Sequence, residues 1–126
     1  MYKNLTIITF LGAVSIILGA FGAHALKESL TPEALKSFET AVRYQMYHVI
    51  VLLLVNFTDH ISLNLKNKLT LIFISGIALF SGSIYLIYLL GVPVSSIWFV
   101  TPLGGFILII GWILLFYEFL KKSMKK

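Results

Sequence analysis

Apolar and charged positions in this chain fall into long blocks rather than short periods. Asn4 to Leu26 is uncharged for 23 residues, Tyr44 to Thr58 for 15, and Leu69 to Tyr117 for 49. A helix needs about 20 apolar residues to cross roughly 30 Å of hydrocarbon. The first block meets that length as one span near residues 5–23. The third is too long for one helix and too short for three. Gly91-Val92-Pro93 interrupts it, because proline cannot continue a helix and glycine tolerates a turn. Spans near 69–90 and 98–117 follow, joined by a short GVPVSS loop.

The second block reaches only about 22 Å at 1.5 Å per residue. Crossing therefore requires residues before Tyr44 and draws Arg43 into the first turns. Thr31-Pro32-Glu33 supplies a helix start: a capping hydroxyl, a proline suited to the first position and an acid at the positive helix end. From there the helix can run unbroken to Phe57, with Leu35, Phe38 and Val42 set against Lys36 and Glu39 in its first half. The prediction is an all-α integral membrane four-helix bundle, one domain over residues 1–126. An amphipathic extracytoplasmic segment leads into its second span, near 40–58.

Composition removes the alternatives. The chain is 59% hydrophobic and 12% charged, with a mean hydropathy of +0.96, whereas soluble domains carry about 25% charge. A small soluble domain lacks the interior to hide the third block. A soluble enzyme, a disordered chain and a conventional nucleic-acid binder are excluded. Cysteine is absent, so neither disulfides nor thiol chemistry arises. The apolar stretch after Lys3 exceeds the about 7–15 residues of a signal-peptide core, so Ala23-His24-Ala25 reads as a helix end rather than a cleavage site.

Charge then orients the spans. The N-terminus, the middle connection His60–Lys68 and the C-terminus share one side. Lys3, Lys66, Lys68, Lys121, Lys122, Lys125 and Lys126 oppose only Asp59 and Glu118 there, a formal +5. The other side balances Lys27, Lys36 and Arg43 with Glu28, Glu33 and Glu39. Basic loops stay inside, so both termini are expected in the cytoplasm of a bacterial cell, with the chain in the inner membrane. The KKSMKK tail can touch anionic lipid. Glu118 is spaced for an ion pair with Lys121 or Lys122, and Asp59 for one with Lys66 or Lys68.

Small residues predict where helices meet, since in lipid they let backbones approach. The first helix offers Gly12, Ser15, Gly19, Gly22 and Ala23, the third Ala78 and Gly82, and the fourth Gly104, Gly105 and Gly111. The polar residues at membrane depth are His24, Glu39, Arg43, Tyr44, Gln45 and His48. Such groups face the bundle or water. Glu39 is spaced for an ion pair with Arg43, and His48 lies too deep to reach the surface. The leading reading is inter-helix packing, or recognition of membrane lipid or of another protein, a second copy included. A small channel or carrier with an outer polar site at Arg43 and His48 is the second. The third has His24 and His48 facing each other as ligands to haem or a transition metal, although no third ligand is placed. No nucleophile, acid pair or phosphate loop indicates an enzyme, and no cofactor is required.

LGAFGAHAL (Leu18–Leu26) and FETAVRYQMYHVIVLLL (Phe38–Leu54) resemble the signatures of the bacterial domain-of-unknown-function 423 family, the YgdD- and YwdK-like small inner-membrane proteins. The resemblance spans essentially the whole chain. It implies a compact four-helix membrane protein with signature residues Gly19, Gly22, His24, Tyr44, Gln45 and His48, and it implies no reaction.

Overall fold

The computed structural model of the protein describes residues 1–125; Lys126 of the basic tail lies outside the described residues. Among these are four long helices and one short one: α1 (Tyr2–His24), α2 (Pro32–Phe57), α3 (Leu63–Leu90), α4 (Val94–Ile97) and α5 (Val100–Met124). The start of α2 is the one expected. The Thr31 hydroxyl accepts from the Ala34 N–H at 3.2 Å, and Pro32 fills the first helical position. The helix then runs unbroken to Phe57.

Three stretches differ from the expectation. Ser62 caps α3 by accepting from the Leu65 N–H, so the helix begins early and takes in Lys66 and Lys68, which were expected in a loop. The far end of α3 is the one expected, closed by Gly91 in the left-handed conformation (φ 70°), where a side chain would be strained. Beyond Pro93 the expected GVPVSS loop coils into α4. The basic tail is helical as far as Met124, and Glu118 pairs with Lys122 at 2.9 Å, the i,i+4 partner rather than Lys121.

α1, α3 and the stretch Val94–Met124 are each long and apolar enough to cross a membrane. α2 is 26 residues long, but Glu33, Lys36, Glu39 and Arg43 crowd its first half, and composition alone does not carry it across. The protein is nonetheless a multi-pass membrane protein by its surface. The outward residues of α5 include Phe106, Ile109, Ile113, Phe116 and Leu120, all exposed, an apolar area that water would not tolerate on a monomer.

The helices pack in chain order: α1 on α2, α2 on α3, and α3 on α5. Glycines set the register. A Cβ on Gly22 would lie 2.9 Å from the Phe38 ring, one on Gly19 3.4 Å from Val42, and one on Gly12 3.3 Å from Val49. α1 therefore runs antiparallel to α2 over nearly its whole length. The α3–α5 contact is closer still. A Cβ on Gly104 would lie 2.2 Å from the Phe80 backbone nitrogen, and those on Gly76 and Gly111 would lie within 2.6 Å of Leu108 and Phe73.

Other expected packing residues face elsewhere. Ala78 and Ala23 are exposed, Gly82 has nothing within 4 Å, and Gly105 makes only ordinary contact with Phe80. The reason is angular. At 100° per residue, Ala78 and Gly82 sit about 200° and 240° around α3 from Gly76, so they point away from α5. The small-residue row of α1 is Gly12, Ser15, Gly19 and Gly22, with Ala23 turned outward.

Candidate functional site

The inward stripe of α2 carries three polar side chains at successive depths, Gln45, His48 and Asn56, all buried. Spacings of three and eight residues keep them on one face; Gln45 and Asn56 join α2 to α1 and α3, and His48 joins it to α5. Gln45 donates to the Leu11 carbonyl of α1 at 2.9 Å and accepts from the Tyr85 hydroxyl of α3 at 2.7 Å. Ser81 of α3 adds a bond to the Ala41 carbonyl at 2.7 Å.

His48 reaches the other way. Trp112 of α5 donates its indole N–H to Nε2 at 3.1 Å. Nε2 is therefore the unprotonated nitrogen, and the network assigns the proton to Nδ1, which donates to the Tyr44 carbonyl at 2.6 Å. Phe73 and Trp112 flank the imidazole with ring centroids at 5.4 and 6.0 Å, while Tyr44 stacks on Phe80 at 5.1 Å. Both ring nitrogens are engaged, so the imidazole has no free lone pair to offer a metal.

Asn56 anchors the far end. It donates to the Leu52 carbonyl and to the Thr70 hydroxyl, and accepts from Asn4, which also bonds Asn67 at 2.8 Å. The Lys66 ammonium is buried and donates to the Asn56 carbonyl at 3.0 Å. Lys66 thus pairs with backbone, and Asp59 forms an ion pair with neither Lys66 nor Lys68. Among the described residues, no buried side-chain nitrogen or oxygen lacks a partner.

The groups expected to cooperate are divided. The α1–α2 register carries His24 past the level of Phe38, at least ten residues along α2 from His48, or about 15 Å at 1.5 Å per residue. His24 is exposed there, and the two imidazoles do not meet. Among the described residues, no three histidine or acidic side chains gather as metal ligands. Arg43 donates to the Thr40 hydroxyl at 3.3 Å instead of pairing with Glu39. It lines two shallow grooves on the α1 side with Gly19 and Val42, one of which also includes Glu39. His48 opens on the α5 side. The five-residue step from Arg43 to His48 turns about 140° around the helix, so the two line separate grooves.

What the α5 side holds is a groove. Its first compartment, about 550 Å³ and nearest the start of α5, is lined by Tyr44, His48, Pro102, Phe106, Ile109 and Trp112 among others. Trp112 also borders a second compartment of about 440 Å³, which runs between Val51, Leu54, Val55, Leu115 and Phe119 to His60. His60 and Phe119 in turn border a third of about 320 Å³, completed by Lys122 and Ser123. The compartments follow one another along α5, the first two facing α2 and the third facing the connection after it, and the His48–Trp112 hydrogen bond crosses between the first two. Sequence reasoning did not single out Trp112, Tyr85 or Asn56 as site residues. One signal for Trp112 was available: an indole N–H within an otherwise apolar helix needs an acceptor.

Comparison with known proteins gives the chain a family. The family model described as a protein of unknown function (DUF423) matches residues 18–105. A UPF0382 membrane protein of Haemophilus influenzae is 39% identical over 97% of this chain and 98% of its own length. One from Staphylococcus aureus (strain bovine RF122 / ET3-1) is 40% identical over 83% and 88%, and YwdK of Bacillus subtilis 37% over 83% and 89%. No solved structure matches the chain. The family model covers both quoted signature blocks, α2 and α3 and ends early in α5, and the chain belongs to the DUF423/UPF0382 family of membrane proteins.

Proposed function

We propose that this is a non-enzymatic inner-membrane protein with four spans and both ends in the cytoplasm, and that its role is to bind an apolar lipid chain from the bilayer in the α2–α5 groove. The carrying observation is the groove itself. Its first two compartments meet at Trp112, are walled mainly by apolar side chains, and open onto the apolar surface of α5. The polar groups of the inward stripe are taken up by bonds to backbone and to neighbouring helices, which supports binding over conduction. An acyl chain suits the compartments better than a transmembrane helix, which is about 10–12 Å across with its side chains.

Register supports the fourth span. From Gly22 opposite Phe38 to Asn4 bonded to Asn56, α2 matches α1 residue for residue. From Tyr44 onward its exposed residues are Tyr44, Tyr47, Ile50, Leu54 and Phe57. Before that, Glu33, Lys36 and Glu39 are exposed around the buried Phe38, as befits an amphipathic segment at the outer surface. The basic excess at the opposite end supports cytoplasmic termini.

Two measurements test the reading. The chain has no cysteine, so single cysteines introduced at Ser29, Ser95 and Ser123 report sidedness to a membrane-impermeant maleimide. Labelling of the first two in intact cells, and of Ser123→Cys only after lysis, is expected; the reverse pattern overturns the topology. Native mass spectrometry of the protein from mild detergent should show a retained lipid, reduced by Leu54→Trp, which fills the groove from an exposed position. Protein free of lipid, or retention unchanged by the variant, overturns the binding role.

A further inference from the structure

We infer that the cytoplasmic end of the α2–α5 groove is a headgroup site selecting an anionic phospholipid of the inner leaflet, with His60, Lys122 and Ser123 around the phosphate. The inference rests on the proposed chain-binding groove and adds direction and charge to it.

The two ends of the groove differ in chemistry. The first compartment has no charged side chain in its lining; Tyr44 and His48 are its polar members, and both nitrogens of His48 are already bonded. The middle compartment is almost wholly apolar from Trp112 to Phe119. At its inner end it opens past His60 into the compartment that holds Lys122 and Ser123, a cation and a hydroxyl at the rim. An apolar slot closed above by an indole and opening below onto donors is the shape of one amphiphile: a chain pointing into the membrane and a phosphate at the surface. The volumes, about 440 and 320 Å³, fall within the range of roughly 300–1,000 Å³ over which small-molecule sites are built.

Charge complementarity selects the headgroup. Glu118 neutralises part of Lys122 at 2.9 Å, but Lys121 and Lys125 stand exposed in the same stretch of α5 and make no ion pair among the described residues. Asp59, beside His60, is an opposing charge on this rim. Lys66, the other cation near this end of α2, is buried against the Asn56 carbonyl and takes no part. The rim therefore keeps a cationic excess, and a headgroup with net negative charge gains there what a zwitterionic one does not.

Native mass spectrometry of the full chain in detergent can test this, with phosphatidylglycerol and phosphatidylcholine of identical chains added in competition. Phosphatidylglycerol should be retained in preference. Lys122→Gln should weaken that preference by roughly five-fold, the effect of about one cation near a charged lipid surface, and His60→Gln should weaken it further. Phosphatidylcholine carries the same phosphate beside a cationic choline, so each variant should reduce its retention less than that of phosphatidylglycerol. Lys68→Gln, a basic residue of α3 outside the groove lining, should leave the preference unchanged, and inorganic phosphate should not displace the lipid. Equal retention of both lipids, or an equal loss in Lys68→Gln, overturns the headgroup site while leaving the chain site intact. Displacement by inorganic phosphate shows a free-anion site and also overturns it. Retention of neither lipid overturns the chain site as well.

Discussion

α5 has two seams, built on opposite rules. Against α3 it is closed by Gly76, Gly104 and Gly111 until side chains and backbone touch. Against α2 it presents Phe106, Ile109 and Trp112 across an open groove, with one hydrogen bond, Trp112 to His48, reaching over. In lipid there is little hydrophobic drive to bring helices together, so close approach depends on small residues and on polar bonds. The glycine seam uses mainly the first means, with one hydroxyl bond between Ser83 and Thr101 added to it, and the groove seam uses the second. The contrast separates the part of the molecule that holds the fold from the part with space to bind.

The largest effect should come from the closed seam. In Gly104→Val, the new Cβ would lie 2.2 Å from the Phe80 nitrogen and 2.7 Å from the Leu79 carbonyl carbon. Backbone cannot swing aside as a side chain does, so α3 and α5 must part. A loss of about 3 kcal/mol, the upper end of ordinary overpacking, is expected as a large fall in melting temperature in detergent. Gly111→Ala should cost less, because the atoms it meets belong to the Phe73 ring. If Gly104→Val melts like the native chain, the seam is not what holds α5.

An intermediate effect belongs to the groove seam. His48→Ala and Trp112→Phe each remove one side of the 3.1 Å bridge. Inter-helix hydrogen bonds in membranes average about 0.6 kcal/mol and reach about 1.7, so each variant should lower stability by an amount within that range. The double variant should lose little more than either single one. Additive losses would mean that the two residues act through separate contacts and that the bridge is incidental.

Much of this contrast was hidden in the sequence, for a physical reason. Composition and breaks in the apolar blocks reveal element number and approximate ends: Thr31-Pro32 starts α2 and Gly91-Val92-Pro93 ends α3, as expected. They do not reveal which face of a uniformly apolar helix turns inward. On α2, where polar and apolar residues mix, the inward placement of Gln45 and His48 could be read in advance. On α3 and α5 it could not, because an apolar residue suits lipid and bundle equally. Gly76 and Gly82 therefore look alike in sequence, and Trp112 looks like a lipid-facing aromatic. The expected pairings failed for a related reason. Arg43 with Glu39 satisfies helical spacing, but spacing does not record the nearby Thr40 hydroxyl, and His24 with His48 ignores the register that the α1 glycines impose.

Gly82 provides the smallest effect and the sharpest control. It is as small as Gly104 and lies on the helix that α5 packs against, yet a Cβ there would meet nothing within 4 Å. Its backbone is helical, so alanine introduces no strain and removes the conformational freedom that glycine gives the unfolded chain. Gly82→Ala should leave the melting temperature unchanged or raise it by the equivalent of about 0.5 kcal/mol. Gly82→Leu should be equally well tolerated if this face meets only lipid. A loss on Gly82→Leu, with a fall in mass by light scattering in detergent, would show that Gly82 and Ala78 face a second copy. The open side of α3 would then be a third seam, closed between protomers by the same small-residue rule that closes α3 on α5.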